Sequence, residues 1–168
     1  LGVALAKGLL ACQNNLVARM DTDDIAVSNR FEQQLNFIKE NPDLSAVSGA
    51  ILEFEDNPSN VTGKRSLPLS HNELLKFSKF RNPLNHMSVM FKKADILEVG
   101  NYQTFYGFED YELWARLIVA GKKLGNTQNV LVKARANKEM IAKRRSGLSY
   151  FFNEIKFITH LYQIKFLG

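Results

Sequence analysis

Three carboxylates within four residues, directly behind an apolar run, constrain this chain more than any other feature. In Asn15-Leu16-Val17-Ala18-Arg19-Met20-Asp21-Thr22-Asp23-Asp24, the residues Leu16, Val17, Ala18 and Met20 read as a buried strand, with the acids at its C-terminal end. Open α/β sheets hold their ligands at such strand ends. Like charges this close repel one another unless a cation or a ring of donors offsets them. Hard carboxylate oxygens suit magnesium or manganese rather than zinc. A metal and phosphate site is expected there.

The chain has 168 residues, of which 45% are hydrophobic and 23% charged, the composition of one globular domain. It does not begin with Met, and Leu1 to Leu10 already read as a helix in progress, so further sequence upstream is expected. No secretory leader is recognisable. The single cysteine, Cys12, allows no internal disulfide and no cysteine-based zinc site, which favours a reducing compartment. It reads as a helix-packing residue. The net charge of +5 is concentrated in Lys133, Arg135, Lys138, Lys143, Arg144 and Arg145, against Glu139 alone. That run reads as a solvated loop, with a phosphate-rich ligand or an anionic lipid surface as the competing reading. No nucleic-acid motif or aromatic platform accompanies it, so nucleic acid is not an expected partner.

Helices and strands alternate along the chain. Ala4 to Ala11 reads as helix, with Asn14 ending it in the left-handed conformation before the strand that reaches Met20. Asn29 caps a helix with Glu32 three residues on, and Phe31, Leu35 and Ile38 form its apolar stripe until Asn41-Pro42. Leu44 to Phe54 is a long strand, and Glu55 to Ser66 a loop of the kind that covers a site. Then follow a helix over His71 to Phe80, a strand over His86 to Phe91, and a helix over Lys93 to Val99 closed by Gly100. A helix over Glu109 to Ala120 ends at Gly121, Asn129 to Ala134 is a strand, and Gly147 to Leu167 a final helix. The alternation predicts an α/β fold with a mainly parallel sheet flanked by helices.

A second constellation is Tyr106-Gly107-Phe108-Glu109-Asp110-Tyr111-Glu112-Leu113-Trp114. Asp110, Leu113, Trp114 and Leu117 fall at i, i+3, i+4 and i+7, so the carboxylate shares a helical stripe with buried side chains. Acids in a first turn also meet the helix dipole favourably, by roughly 0.3–1 kcal/mol each. That account covers Glu109, Asp110 and Glu112 alike. A carboxylate against Trp114 and open to a cleft reads as a general base.

Taken with Arg30-Phe31-Glu32 and Asn82-Pro83-Leu84-Asn85-His86-Met87-Ser88-Val89-Met90-Phe91, these two blocks make the chain resemble a bacterial family-two glycosyltransferase of the glycosyltransferase A fold. The resemblance covers about residues 1 to 135 and implies that the first βαβ unit, with its uracil and ribose pocket, precedes Leu1. It divides the chain into a partial catalytic domain over 1–145 and an aromatic-rich C-terminal helix over 146–168. It implies that Asp21 and Asp23 match the metal and nucleotide motif, Asp23 being the better direct ligand of Mn2+ or Mg2+, with Asp24 beside them. Asp110 matches the catalytic base, Glu109 an acceptor-orienting group, and His86 and Arg135 positions that line the nucleotide-sugar site. The implied reaction moves a hexosyl group from a nucleotide-diphosphate sugar to a saccharide or lipid-linked acceptor with inversion, in bacterial surface polysaccharide synthesis. Asn14 for Gly, Ser28 for Pro and Asn137 for a His that follows the Arg depart from the pattern. The last puts a third metal or diphosphate ligand in question.

The C-terminal segment carries Leu148, Phe151, Phe152, Ile155, Phe157, Ile158 and Leu161 but is too interrupted by Glu154, Lys156 and His160 to span a bilayer. It packs on the sheet or on a partner subunit, or lies on a membrane surface with the basic run at the headgroups. A cytoplasmic protein peripheral to the inner face of the membrane is then expected. Two further readings stand beside the transferase: a fragment that folds without holding donor, and a phosphotransferase using Asp21 as nucleophile. A calcium loop fails, because Ile25 and Ala26 fall where ligand and glycine belong.

Overall fold

The computed structural model describes residues 1–136 and 146–168; Asn137, Lys138, Glu139, Lys143, Arg144 and Arg145 lie outside the described residues. In chain order the elements are α1 (Gly2–Ala11), β1 (Leu16–Ala18), β2 (Ile25–Ala26), α2 (Arg30–Glu40), β3 (Leu44–Phe54) and β4 (Val61–Arg65). They continue with α3 (His71–Phe77), β5 (Met90–Lys92), α4 (Lys93–Glu98), α5 (Glu109–Val119), β6 (Lys123–Arg135) and α6 (Leu148–Gln163), and a 3-10 turn over His86–Ser88 precedes β5.

β3 is the spine. Every residue from Leu44 to Ile51 is buried, as in a strand covered on both faces. The sheet runs β1-β5-β3-β6-β2, with β4 on the C-terminal half of β3. Around Ala46 the core joins Leu9 of α1, Ile96 of α4, and Leu113, Trp114 and Leu117 of α5. Val47, on the opposite face, packs with Ile38 of α2. Small residues let β3 sit this deep: a Cβ on Gly49 would stand 2.6 Å from Leu131 Cδ1 and 2.9 Å from Asn129 O.

The α/β class holds, with corrections in detail. The sheet is mixed rather than mainly parallel: β3 pairs β6 in parallel, while β1 with β5, β5 with β3, β4 with β3 and β2 with β6 are antiparallel. β1 is an edge strand, not a buried one, and Leu16 and Met20 are exposed. Helix α1 ends at Ala11 with Cys12 extended at φ −65°, and Asn14 does not take up the left-handed conformation. The loop expected over Glu55 to Ser66 turns at Asn57, whose Oδ1 accepts from Ser59 N at 2.9 Å, and returns as β4, making a hairpin. The strand expected from His86 is a 3-10 turn first, and strand only from Met90.

Helix α2 buries Arg30, Gln34 and Ile38, whereas Phe31 and Leu35 face solvent. Hydropathy could not foresee this, because Arg30 and Gln34 turn inward to serve backbone carbonyls. The C-terminal helix packs on α5, with Phe157, Leu161 and Phe166 against Ala115, Phe108 and Tyr111. Among the described residues no helix is long and apolar enough to cross a membrane.

Candidate active site

Where β1 leaves the sheet, its backbone is braced by buried polar side chains. Arg19 N donates to Val89 O at 3.0 Å. Arg30 Nη2 donates to Arg19 O at 2.8 Å and to Val89 O at 3.3 Å, and Gln34 Nε2 to Ser88 O at 2.9 Å. Burial lowers Arg30 to about 10, which leaves it a cation at neutral pH. The acidic loop therefore starts from a fixed point.

Asp21 receives both guanidinium nitrogens of Arg19, at 2.8 and 2.6 Å. Asp23 is exposed, and no hydrogen bond or ion pair to its carboxylate exists among the described residues. Asp24 is buried. Its Oδ1 accepts from Arg135 N at 2.8 Å, and its Oδ2 is buried without a partner. Burial pushes the Asp24 carboxyl above its ordinary range, with the Arg135 amide opposing. The Arg135 guanidinium lies over the Phe54 ring at 5.0 Å and donates to Glu55 O at 2.8 Å. Asp24 and Arg135 thus latch the acidic loop to the end of β6.

The second cluster surrounds the turn at His86. Ser48 Oγ lies 2.8 Å from Ser88 Oγ, Asn85 N donates to Ser48 Oγ at 3.1 Å, and Asn85 Nδ2 to Gly49 O at 3.0 Å, so β3 holds this turn from beneath. His86 Nε2 is 3.0 Å from Tyr102 OH, and its ring meets Trp114 edge-on at 6.1 Å. Burial drives His86 down to about 3, so the imidazole is neutral at physiological pH. Its Nδ1, 3.9 Å from Asp110 Oδ2, is not an ion-pair partner there. Asp110 opens α5 with its side chain 18% exposed, and Asn82 Nδ2 donates to its Oδ2 at 2.6 Å. Burial raises the Asp110 carboxyl, and the Asn82 amide and first-turn backbone N–H groups hold it back.

The two clusters share one electrostatic neighbourhood. The Arg19 charge acts on Asp110, His86 and Tyr102, and the Asp21 charge on His86. In front of Asp110 opens a hollow of about 450 Å³ lined by Leu1, His86, Tyr106, Gly107, Glu109, Asp110 and Tyr150. Asp21, Asp23, Asp24 and Arg135 do not line it. A larger hollow of about 690 Å³, between Asp43, His71, Lys123 and Asn126, contains none of the expected site residues.

Among the described residues no group of three or more His, Cys, Asp or Glu could hold a metal ion. Magnesium needs no such cage, since it binds through one or two carboxylates plus substrate phosphates and keeps several waters. Asp23 is a hard-oxygen donor of that kind without a protein partner among the described residues, while both Asp21 oxygens are engaged by Arg19, so the chemistry of the donors suits such a cation with Asp23 as the available ligand.

Sequence reasoning missed Asn82, Tyr102, Tyr106, Tyr150 and Arg30. Asn82 meets Asp110 across 28 positions, a contact that no local pattern reveals. Tyr150 reaches the hollow only because α6 folds back on α5.

Residues 1–97 match the family model of glycosyl transferase family 2. The chain is 44% identical over its whole length to the UDP-Gal:alpha-D-GlcNAc-diphosphoundecaprenol beta-1,3-galactosyltransferase of Escherichia coli, covering 60% of that protein. It is 39% identical to the amylovoran biosynthesis glycosyltransferase AmsE of Erwinia amylovora over 98% of this chain and 59% of that one. The chain therefore spans about 60% of the length of these curated relatives. Among solved structures, the mannosyltransferase PcManGT from Pyrobaculum calidifontis in complex with GDP-Man and Mn2+ superposes with a TM-score of 0.61 at 17% identity, over 86% of this chain and 40% of that one. That likeness is one of fold.

Proposed function

Because the chain belongs to glycosyl transferase family 2, we infer that it forms part of an enzyme that moves a sugar from a nucleotide-diphosphate donor to a hydroxyl, in polysaccharide or O-antigen assembly. What carries the reading is the setting of Asp110: a partly open carboxylate, oriented by Asn82, at the wall of a hollow.

In this reading the acceptor hydroxyl lies in the hollow and gives its proton to Asp110 as its oxygen attacks the anomeric carbon. The bond from that carbon to the diphosphate oxygen breaks on the opposite side, and the nucleoside diphosphate leaves with the electron pair. Attack opposite the leaving group inverts the anomeric centre. His86, neutral and tied to Tyr102, keeps a second positive charge away from Asp110, so the base remains able to accept a proton. Asp23, with Asp21 beside it, would hold a divalent cation, which offsets the negative charge of the departing diphosphate when bound. Asp24 and Arg135 fix the loop that carries them. The relative's lipid-linked acceptor and the exposed apolar face of α6 support a membrane-surface site of action.

The test is titration of the full-length protein with manganese and a panel of nucleoside diphosphates. Binding should depend on metal and be abolished by Asp23→Ala, whereas Asp110→Asn should keep nucleotide affinity while transfer falls by about three orders of magnitude or more. Tight metal-free binding, or full turnover in Asp110→Asn, overturns the assignment.

A further inference from the structure

A tight turn behind α4 carries Tyr102 to His86. Gly100 has φ +92° and Asn101 φ +62°, a conformation that glycine takes freely and asparagine tolerates. The turn is held on several sides. Asn101 Nδ2 donates to Ala6 O at 3.1 Å, Asn101 Oδ1 accepts from Tyr102 N at 2.7 Å, and Arg116 Nη2 of α5 donates to Asn101 O at 2.7 Å. The tyrosine it places is only 6% exposed, with ring centroids 6.5 Å from Phe91 and 5.7 Å from His86, and its hydroxyl stands 3.0 Å from His86 Nε2. Among the described residues that imidazole is the only hydrogen-bond partner of the Tyr102 hydroxyl.

A neutral imidazole carries one proton, so one ring nitrogen donates and the other accepts. Burial, with the Arg19 charge behind it, denies His86 a second proton. Two neighbours decide where the one proton sits. On the Nε2 side, burial raises the Tyr102 phenol, which keeps its own proton at physiological pH and is able to donate it. On the Nδ1 side stands Asp110 Oδ2 at 3.9 Å, and no residue is hydrogen-bonded to Nδ1 among the described residues. That separation is too long for a hydrogen bond, so the ring acts on the carboxylate through its field. An N–H turned toward a carboxylate favours the ionised form, whereas a nitrogen lone pair in its place repels it. Both neighbours select the same tautomer. We propose that Tyr102 is a positioning residue: its hydroxyl donates to His86 Nε2, fixes the ring as the Nδ1–H tautomer and turns that N–H toward Asp110. The hydrogen bond at one ring nitrogen thereby sets the proton at the other, and the ring passes the choice on to a carboxylate that Tyr102 does not touch. The proposal rests on Asp110 being the base and adds the device that favours its ionised form.

Long-range proton–nitrogen NMR of the full-length protein, isotope-labelled at its histidine nitrogens, tests it, because protonated and bare ring nitrogens resonate far apart. The signals missing in His86→Asn identify those of His86. A protonated Nδ1 and a bare Nε2 are expected in the parent. Tyr102→Phe, which keeps the ring and loses the hydroxyl, should move the proton to Nε2 in a large share of the molecules. The same change should lower kcat about tenfold to a hundredfold with KM little altered. His86→Asn places an amide N–H where the Nδ1–H stood, while His86→Gln places it at the Nε2 end, so the first should turn over about tenfold faster than the second. A protonated Nε2 in the parent, or an Nδ1–H tautomer that persists in folded Tyr102→Phe, overturns the proposal. Should Tyr102→Phe fail to fold, the parent spectrum and the two His86 variants decide, and equal turnover of those two counts against the tautomer. The spectrum is read without substrate, so a misassigned base would appear in the turnover of Asp110→Asn and not in this measurement.

Discussion

Asp110 is subject to two opposed influences, burial that raises its carboxyl and the Asn82 amide that holds it down, and both are measurable. As the proposed base, Asp110 must be ionised to take a proton, so kcat/KM should fall on the acid side at a pH above the ordinary aspartate value of about 3.9. Removing the amide in Asn82→Ala favours the protonated form, so that limb should move to still higher pH, by about one unit, as kcat/KM drops. An unmoved limb in a pH–rate profile would remove Asn82 from this role. The same raised value has a stability consequence. At neutral pH the folded protein holds a carboxylate that its surroundings disfavour, and the unfolded chain does not. Asp110→Asn should therefore raise Tm at pH 7, and the gain should disappear as pH falls through the folded and then the unfolded pKa. Differential scanning calorimetry at two pH values reads this directly.

Helix α5 joins two jobs, and the joint is Glu112. Its fully buried carboxylate receives Arg116 Nε at 2.7 Å and Nη2 at 2.6 Å and stands 2.9 Å from His160 Nε2 of α6, while Arg116 Nη2 also donates to Asn101 O at 2.7 Å. Removing one member of such a buried set leaves the others uncompensated, so Glu112→Ala should cost about 3–5 kcal/mol in urea denaturation. A loss below about 1 kcal/mol would show that water replaces the carboxylate freely. Glu112 also marks what the sequence made legible. The stripe of Leu113, Trp114 and Leu117 was readable from spacing alone, and all three are fully buried. Glu112 was not, because its burial depends on a histidine 48 positions away. Likewise Arg30 and Gln34 of α2 displaced Phe31 and Leu35 from the inner face, since backbone carbonyls of Arg19, Val89 and Ser88 outweighed apolar periodicity there. The long strand β3 and the glycine-ended helices α4 and α5 were readable because local chemistry alone decides them. The order of the strands, and with it the mixed sheet, was not.

At the scale of the whole molecule, α6 carries two apolar stripes. One, through Phe157 and Leu161, is covered by α5; the other presents Leu148, Phe151, Phe152, Ile155, Ile158 and Tyr162 to solvent. With Lys156 and Lys165 on the same segment and a basic run before it in sequence, an anionic bilayer surface is its proposed partner. The full-length protein should float with phosphatidylglycerol-containing vesicles and be released by about 0.5 M salt. A double change, Phe151→Ser with Phe152→Ser, should abolish flotation without lowering Tm, and equal flotation with neutral vesicles at high salt would argue against the electrostatic part. Glu112, which fastens α6, stands two residues from Asp110, about 3 Å of helical rise. The fastening of α6 and the proposed base therefore sit within a single helical turn, so a substitution that loosens the tail is expected to disturb the carboxylate next to it.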